Sequence, residues 1–192
     1  MNDNELEKIE LQASTVYITD KSGKFLLIFH QTFKAWLPPG GTKEPGEALH
    51  ITAIREVKEE TGLCIGLDCK AKKINDNFFT VPAPAIVQLE VVSQNVHENF
   101  IYFITLPEEK PKISTEKGVS SRWVTAEEVS LSQGEYWDDV KQNVQSIASG
   151  LWKPSWSVLT SQSQINITRR KSMHSKQQEL SLPNSVLQIS ND

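Results

Sequence analysis

Residues 41–63, which read GTKEPGEALHITAIREVKEETGL, constrain this chain most because they place several carboxylates on one short helix. At 3.6 residues per turn, Glu56, Glu59 and Glu60 share one helical face. Three like charges side by side weaken an isolated helix, but divalent cations can neutralise them. Mg²⁺ is the cation that proteins usually hold with carboxylates together with substrate phosphates. The segment therefore predicts a metal-dependent phosphate site.

The residues that flank the acidic helix support a constructed site. Gly40 and Gly41 follow two prolines, and both are free to take positive φ, which would bring backbone groups close to a metal or phosphate. We expect the helix to begin near Glu47 and to end at Gly62, a residue that suits the C′ position. The opposite, apolar face is predicted to pack on the core and consists of Ala48, Ile51, Ala53, Ile54 and Val57.

This segment resembles the signature sequence of the Nudix hydrolases, with every defining position present, including Gly41, Glu47, Arg55 and Gly62. The competing interpretation is a solvated Glu-Lys helix after a glycine-rich turn. The resemblance implies an α/β fold, the α/β/α sandwich of that family with a central mixed β-sheet. It also implies hydrolysis of a diphosphate linked to a further group, X.

The resemblance and the helical geometry together suggest site residues. Mg²⁺, with Mn²⁺ as an alternative, is expected on Glu56, Glu59 and Glu60 and on the backbone carbonyl of Gly40. Arg55 lies four residues before Glu59 and can hold a carboxylate in its ligating rotamer by a paired hydrogen bond. We expect Glu59 and Arg55 to be catalytic, Arg55 through orientation, and Glu47 to support the network.

A further carboxylate from a distant loop often completes such sites. Glu116, in the polar stretch before Trp123, is the first choice, and Glu98, expected between two strands, is the second. Either residue is equally compatible with a surface loop. His97 is expected at a strand end, as a surface residue more than as a ligand.

Residues outside the signature are expected to select X, because aromatic and polar side chains stack on and hydrogen-bond to the leaving group. The substrate-binding candidates are Phe33 and Trp36 before the signature and Phe79 after it. ADP-ribose-type members resemble one another in a proline about sixteen residues past the signature, where this chain has Phe79. A nucleotide or nucleotide derivative is the broad expectation.

Two other functions share the fold. A non-catalytic nucleotide-binding or sensor module would be expected to lose signature carboxylates, and all are present. A prenyl diphosphate isomerase would need a cysteine in the site, whereas Cys64 and Cys69 come after the metal helix. We interpret both cysteines as small, partly buried apolar residues.

Charge limits the partners of this chain. Residues 1–150 carry a net charge of −7, which disfavours duplex nucleic acid, since phosphate neutralisation dominates such binding. No apolar run is long enough to cross a bilayer, so we expect no membrane partner and a cytoplasmic location. A small nucleotide-type molecule is the expected partner, and a homodimer is left open.

The chain is predicted to comprise an N-terminal extension (1–11), a Nudix domain (12–150) and a mildly basic, poorly ordered tail (151–192). Ser, Gln and Asn supply 17 of the 42 residues in that tail. Strands are predicted at 13–20, 24–30, 86–93, 100–106 and 121–125. A helix start with a Thr125 N-cap and a further helix over 134–149 complete the prediction, with the apolar stripe of that helix, including Trp137, expected in the core.

Overall fold

The computed structural model describes residues 9–66, 71–92, 95–115, 119–156 and 158. Nine strands lie in this part of the chain: β1 Ile9–Thr19, β2 Phe25–His30, β3 Ala35–Leu37, β4 Gly40–Thr42, β5 Lys72–Lys73, β6 Phe79–Thr80, β7 Ile86–Val92, β8 Asn95–Thr105 and β9 Ser121–Val124. The helices of the same part are α1 Leu49–Thr61, α2 Ala126–Leu131 and α3 Asp138–Ala148.

A seven-stranded sheet forms the centre of the domain, in the order β3-β2-β1-β8-β7, with β4 paired to β1 and β9 paired to β2. β1 runs parallel to β8, and the other pairs in this sheet are antiparallel. β5 and β6 form a separate two-stranded hairpin. The predicted mixed sheet is therefore confirmed.

Alternation along the strands divides the core into two layers. On one face, Val16 and Ile18 of β1 pack with Ala53 and Val57 of α1. On the other face, Tyr17 of β1 packs with residues of α3, among them Val140, Val144 and Ile147. Because successive strand residues point to opposite faces, one strand serves both layers. This arrangement confirms the predicted α/β/α sandwich.

Helix α1 begins at Leu49, two residues later than predicted, and ends where expected, at Gly62 with φ of 72°. Glu47 precedes the helix, and its carboxylate accepts a hydrogen bond from Thr52 Oγ1 at 2.8 Å. Two members of the predicted apolar stripe are wrong: Ile51 is 44% exposed, and Ala48, the N-cap residue of α1, is also exposed. Ile51 lies in the first turn of α1, where its neighbours His50 and Thr52 are the buried residues, so the buried side of this turn is polar.

Helix α3 also begins later than predicted, because Gly134 has φ of +77° and Trp137 is the N-cap residue. Trp137 is 37% exposed, so its predicted place in the core is wrong. The N-cap of α2 is confirmed as Thr125, whose side chain forms a capping box with Glu128.

Residues 97–99 were expected between two strands, and this expectation is wrong. His97 and Asn99 lie inside β8, and Glu98 between them points to the opposite face. Polar residues are tolerated in this strand because His97 and Asn99 line a cleft and not the apolar core.

Packing continues past residue 150. Trp152 contacts Tyr17 edge to face, with ring centroids 6.3 Å apart, and the indole of Trp156 donates to the Ile65 carbonyl at 2.9 Å. The Ser155 amide donates to the Phe103 carbonyl at 2.6 Å. The boundaries predicted at residues 12 and 150 stay predictions, and residues 159–192 of the predicted tail lie outside the described residues.

Candidate active site

The loop before α1 approaches the sheet and the helix closely. Gly40 and Gly41 lie in β4, opposite Thr15 and Ser14 of β1. Neither glycine has positive φ, so the predicted reason for their presence is wrong. A Cβ on Gly40 would lie 2.6 Å from the Ser14 carbonyl oxygen, and one on Gly41 would lie 2.6 Å from Glu56 Cδ. Lack of space, and not backbone conformation, favours glycine at both positions: Gly40 faces backbone atoms, and Gly41 faces the end of a side chain.

Two of the predicted carboxylates of α1 face β4. Glu60 Oε2 accepts a hydrogen bond from the Gly40 amide at 2.9 Å. Glu56, one turn earlier, places its carboxylate against the backbone of Gly41. The amide of Gly40 thus contacts a carboxylate in this structure, whereas its carbonyl was the predicted metal ligand. That role of Gly40 stays a prediction.

Arg55 connects the acidic residues. Its guanidinium donates to Glu47 through Nε at 3.0 Å and Nη2 at 3.1 Å, which makes a bidentate pair. Nη1 donates to Glu56 at 2.7 Å and to Glu59 at 3.3 Å, and Nη2 also reaches the Thr42 carbonyl at 3.1 Å. Arg55 therefore holds Glu56 more closely than Glu59, the partner predicted from the helical spacing.

The electrostatic environment differs among these carboxylates. Hydrogen bonds from Arg55 lower the pKa of Glu47 to about 2. Burial raises the pKa of Glu56, and the hydrogen bond from Arg55 opposes that effect. The Glu59 side chain is 51% exposed, and its contact with Arg55, at 3.3 Å, is longer than that between Glu56 and Arg55, at 2.7 Å. One carboxylate is thus a fixed partner of Arg55, one is half-buried, and one reaches solvent.

The chemistry of this group fits a hard divalent cation. Glu56 offers oxygen ligands beside Gly41, and Glu60 offers them beside the Gly40 amide. Within the described residues, no three His, Cys, Asp or Glu side chains converge closely enough to form a ready metal site. Arg55 occupies the carboxylate oxygens instead, so a cation would need small side-chain rotations to gain all three glutamates.

A cleft of about 330 Å³ opens beside this carboxylate face, which comprises Glu56, Glu59 and Glu60. Its lining residues come from several strands of the sheet, including β1, β4 and β8, and from the start of α3, and they include Glu60 and Gly40. Phe33 and Trp137 line it, with ring centroids 5.1 Å apart. Phe33 also stacks on His30 at 4.4 Å. The cleft thus has an aromatic wall for a planar group.

Of the three predicted substrate-binding residues, Phe33 lines the cleft and the other two lie elsewhere. Trp36 contacts Phe29 edge to face at 5.3 Å, and the guanidinium of Arg122 covers its ring at 4.1 Å. Phe79 lies in β6 and is 56% exposed, outside the cleft lining.

Of the two predicted distant carboxylates, the structure describes only Glu98, which is not part of the cleft lining. Glu116 lies outside the described residues. Glu98 accepts a hydrogen bond from Gln12 at 2.8 Å, whereas its neighbour His97 lines the cleft from the other face of the sheet. Cys64 is exposed, contrary to its predicted partial burial, and Cys69 is not among the described residues.

Sequence reasoning missed three polar residues of the cleft: Glu90 of β7, Asn99 of β8 and Asp139 of α3. Burial raises the pKa of both Glu90 and Asp139. Strand alternation offered a signal for Glu90, since a carboxylate inside the apolar strand IVQLEVV requires a polar environment. Asp139 follows Trp137, a residue that was expected in the core.

None of the helices in the described part of the chain has the length and apolar character that a membrane crossing requires.

The NUDIX domain model matches residues 10–144. The chain is also 36% identical over 59 residues to a protein named putative 8-oxo-dGTP diphosphatase from Bacillus subtilis, a match that spans 31% of this chain and 40% of that protein.

Solved structures show the same fold. A hydrolase of the NUDIX family from Clostridium perfringens superposes with a TM-score of 0.59 at 24% identity, covering 73% of this chain and 97% of that one. An Ap4A hydrolase from C. elegans gives a TM-score of 0.57 at 17% identity, covering 74% and 98%. With the domain match over residues 10–144, these comparisons show that the chain belongs to the NUDIX family.

Proposed function

We propose that this protein is a divalent-cation-dependent hydrolase that cleaves a phosphoanhydride bond in a nucleoside diphosphate linked to a further group. The position of Glu60 carries this proposal. Glu60 belongs to the carboxylate face of α1 and also lines the cleft, whose lining includes the aromatic rings of Phe33 and Trp137. A single molecule can therefore keep its phosphates beside α1 and its ring in the cleft.

The carboxylate face is the proposed site for Mg²⁺, with Mn²⁺ as an alternative, because hard cations prefer carboxylate oxygens. A cation held by Glu56, Glu59 and Glu60 supplies neutralisation of phosphate charge and activation of a water molecule. The backbone of Gly41 lies against the Glu56 carboxylate, and the Gly40 amide donates to Glu60, so both glycines belong to the proposed site.

The residues of this chain have distinct proposed roles. Arg55 is a positioning residue, since its bidentate pair with Glu47 fixes the guanidinium that holds Glu56. Glu59 is the most accessible carboxylate of the face, at 51% side-chain exposure, and we assign to it the removal of a proton from the attacking water. Phe33 and Trp137 would hold the ring by stacking.

The names of related proteins support a nucleotide substrate and suggest which compounds to test. The Bacillus subtilis relative is named for 8-oxo-dGTP, and the C. elegans structure is titled for Ap4A. We therefore propose a small nucleotide as the partner and a test panel of nucleoside triphosphates, 8-oxo-dGTP, dinucleoside polyphosphates, nucleotide sugars and ADP-ribose.

The test is Mg²⁺-dependent product release from this panel by the wild type, by Glu60→Gln and by Glu127→Gln. Glu127 is an exposed residue of α2 and serves as a matched control. We expect one substrate class to be hydrolysed, with a loss of about 10²-fold or more in Glu60→Gln and no change in the control. Ligand binding without turnover on any compound would instead favour a non-catalytic binding module.

A further inference from the structure

A polar group of Asn99, Glu90 and Thr15 occupies the strand side of the cleft. Asn99 Nδ2 donates to Glu90 Oε1 at 2.6 Å and to Thr15 Oγ1 at 2.9 Å. These residues belong to three adjacent strands, β8, β7 and β1, and all three line the cleft. The short Asn99 contact fixes the direction in which the Glu90 carboxylate points.

This group is incompletely satisfied. Asn99 is only 5% exposed, and its Oδ1 has no hydrogen-bond partner among the described residues. Within the described residues, Asn99 is also the only donor to the Glu90 carboxylate, and Glu90 Oε2 accepts no hydrogen bond from them. Buried polar atoms are normally paired, and an exception calls for a specific reason. The Asn99 side-chain amide donates to Glu90 and to Thr15, whereas its Oδ1 accepts no hydrogen bond in the described part of the chain.

A second hydrogen-bond network holds the surrounding elements in place. Gln88 of β7 and Asn143 of α3 exchange two amide hydrogen bonds, at 3.1 and 3.0 Å, and Asn143 also donates to the Tyr17 hydroxyl at 3.2 Å. Gln88 lies two residues before Glu90, on the same strand face. Asp139 lies one turn before Asn143, on the same side of α3. Both cleft carboxylates therefore sit on elements that are fixed to each other.

The cleft is built to accept hydrogen bonds from a planar molecule. Its lining contains Glu90, Asp139 and Asn99 but no Lys or Arg among the described residues. An ionised carboxylate is only an acceptor, and its two oxygens can receive two parallel N–H groups. The aromatic wall of Phe33 and Trp137 restricts the ligand to a flat shape.

We propose that Glu90 is a specificity-determining residue that accepts hydrogen bonds from adjacent ring and exocyclic N–H groups of the bound nucleobase, with Asn99 as its positioning residue. Guanine has two such donors side by side, whereas adenine and cytosine place an acceptor next to their amino group. The substrate class is therefore a guanine-type nucleotide. This inference rests on the proposed function for its ligand class, but its test uses binding alone.

The experiment measures dissociation constants of GMP, AMP, CMP and UMP by calorimetry without metal, for the wild type, Glu90→Gln and Glu98→Gln. Glu98 is a matched control, because it points to the other face of the sheet and contacts Gln12. A bidentate contact discriminates between bases by about 5- to 150-fold, so we expect a GMP preference of that size in the wild type and in the control. Glu90→Gln should lose most of it.

A second measurement needs no variant and therefore does not depend on the folding of Glu90→Gln. The side-chain amide protons of Asn99 should shift in the NMR spectrum of the wild type when GMP is added, and should shift less with AMP. Equal affinities for the four nucleotides, or a GMP preference kept in Glu90→Gln, would overturn the inference. So would an Asn99 amide that does not respond to GMP.

The two proposals fail in different ways. Selective GMP binding with no hydrolysis of any compound of the panel would overturn the proposed function and support the assignment of Glu90. Mg²⁺-dependent hydrolysis of all bases at equal kcat/KM would support the proposed function and overturn the assignment.

Discussion

Substituting Gly41 by Ala tests whether the Glu56 carboxylate must occupy its observed position. An Ala Cβ would lie 2.6 Å from Glu56 Cδ, whereas ordinary contact begins at 3.4 Å, so the carboxylate must move by about 0.8 Å. That movement stretches the 2.7 Å hydrogen bond from Arg55 beyond useful length. Gly41→Ala therefore moves the Glu56 carboxylate, one proposed cation ligand, without replacing it by another chemical group.

We expect Gly41→Ala to lower the catalytic rate far more than the stability of the fold. A displacement close to 1 Å in a catalytic constellation lowers the rate by about 10²-fold, or about 2.7 kcal/mol of activation free energy. The clashing group is the end of a flexible side chain, so we expect the variant to lose at most about 1 kcal/mol of stability. For a domain of this size, that loss lowers Tm by about 2–4 °C.

Two other glycines provide matched comparisons. A Cβ on Gly40 would meet backbone atoms, the Ser14 oxygen at 2.6 Å and Thr15 Cα at 2.9 Å, which cannot move without disturbing the β1–β4 pairing. Gly40→Ala should therefore lose about 1–3 kcal/mol of stability. Gly46→Ala meets nothing within 4 Å and strains only a φ of +78°, so it should keep its activity.

The assay combines kcat/KM on the substrate that the panel identifies with Tm and with direct Mn²⁺ binding measured by electron paramagnetic resonance. We expect Gly41→Ala to lose activity and Mn²⁺ affinity while its Tm stays near that of the wild type. Wild-type kcat/KM and Mn²⁺ affinity in this variant would refute the role given to Glu56. A fall in Tm as large as that of Gly40→Ala would refute the distinction between side-chain and backbone clashes.

Two further predictions concern stability. Trp156→Phe removes the indole hydrogen bond to the Ile65 carbonyl and part of the buried ring, so urea unfolding should show a loss of about 1–3 kcal/mol; an unchanged unfolding midpoint would contradict the observed packing. Arg55 lowers the pKa of Glu47 to about 2, so the stabilisation from this pair is complete above the ordinary pKa of Glu and is lost as pH falls through about 2. Glu47→Gln should therefore be less stable than the wild type at pH 7, with a difference that shrinks toward pH 2, and a pH-independent difference would count against this pair.

Local signals in the sequence predicted much of the fold. The end of α1 at Gly62 and the Thr125 N-cap of α2 follow from short-range chemistry that the chain carries at those positions. The position of Glu56 and Glu60 on one face of α1 follows from their helical spacing alone. Such features depend on a few neighbouring residues, so the sequence is sufficient to predict them.

Features that depend on distant contacts were predicted less well. Residues 97–99 read as a turn because they are polar, yet two of them line a cleft whose opposite wall comes from α3. Trp137 read as core because it fits a helical stripe, yet it precedes the helix and faces Phe33. Both errors have one physical cause: a cleft lined by several elements makes polar strands and exposed aromatic residues favourable, and no single segment reveals it.

The contact between Gly41 and Glu56 combines a feature visible in the sequence with one that only the structure reveals. The sequence shows a glycine before the helix and suggests conformational freedom, whereas the structure shows that the missing Cβ makes space for a carboxylate. Arg55 then balances that carboxylate and Glu47, so the acidic helix is stable before any cation binds. A divalent cation has to compete with this guanidinium for Glu56. Glu60 accepts a hydrogen bond from the Gly40 amide and also lines the cleft, so a cation bound at Glu60 would lie where the carboxylate face adjoins the cleft.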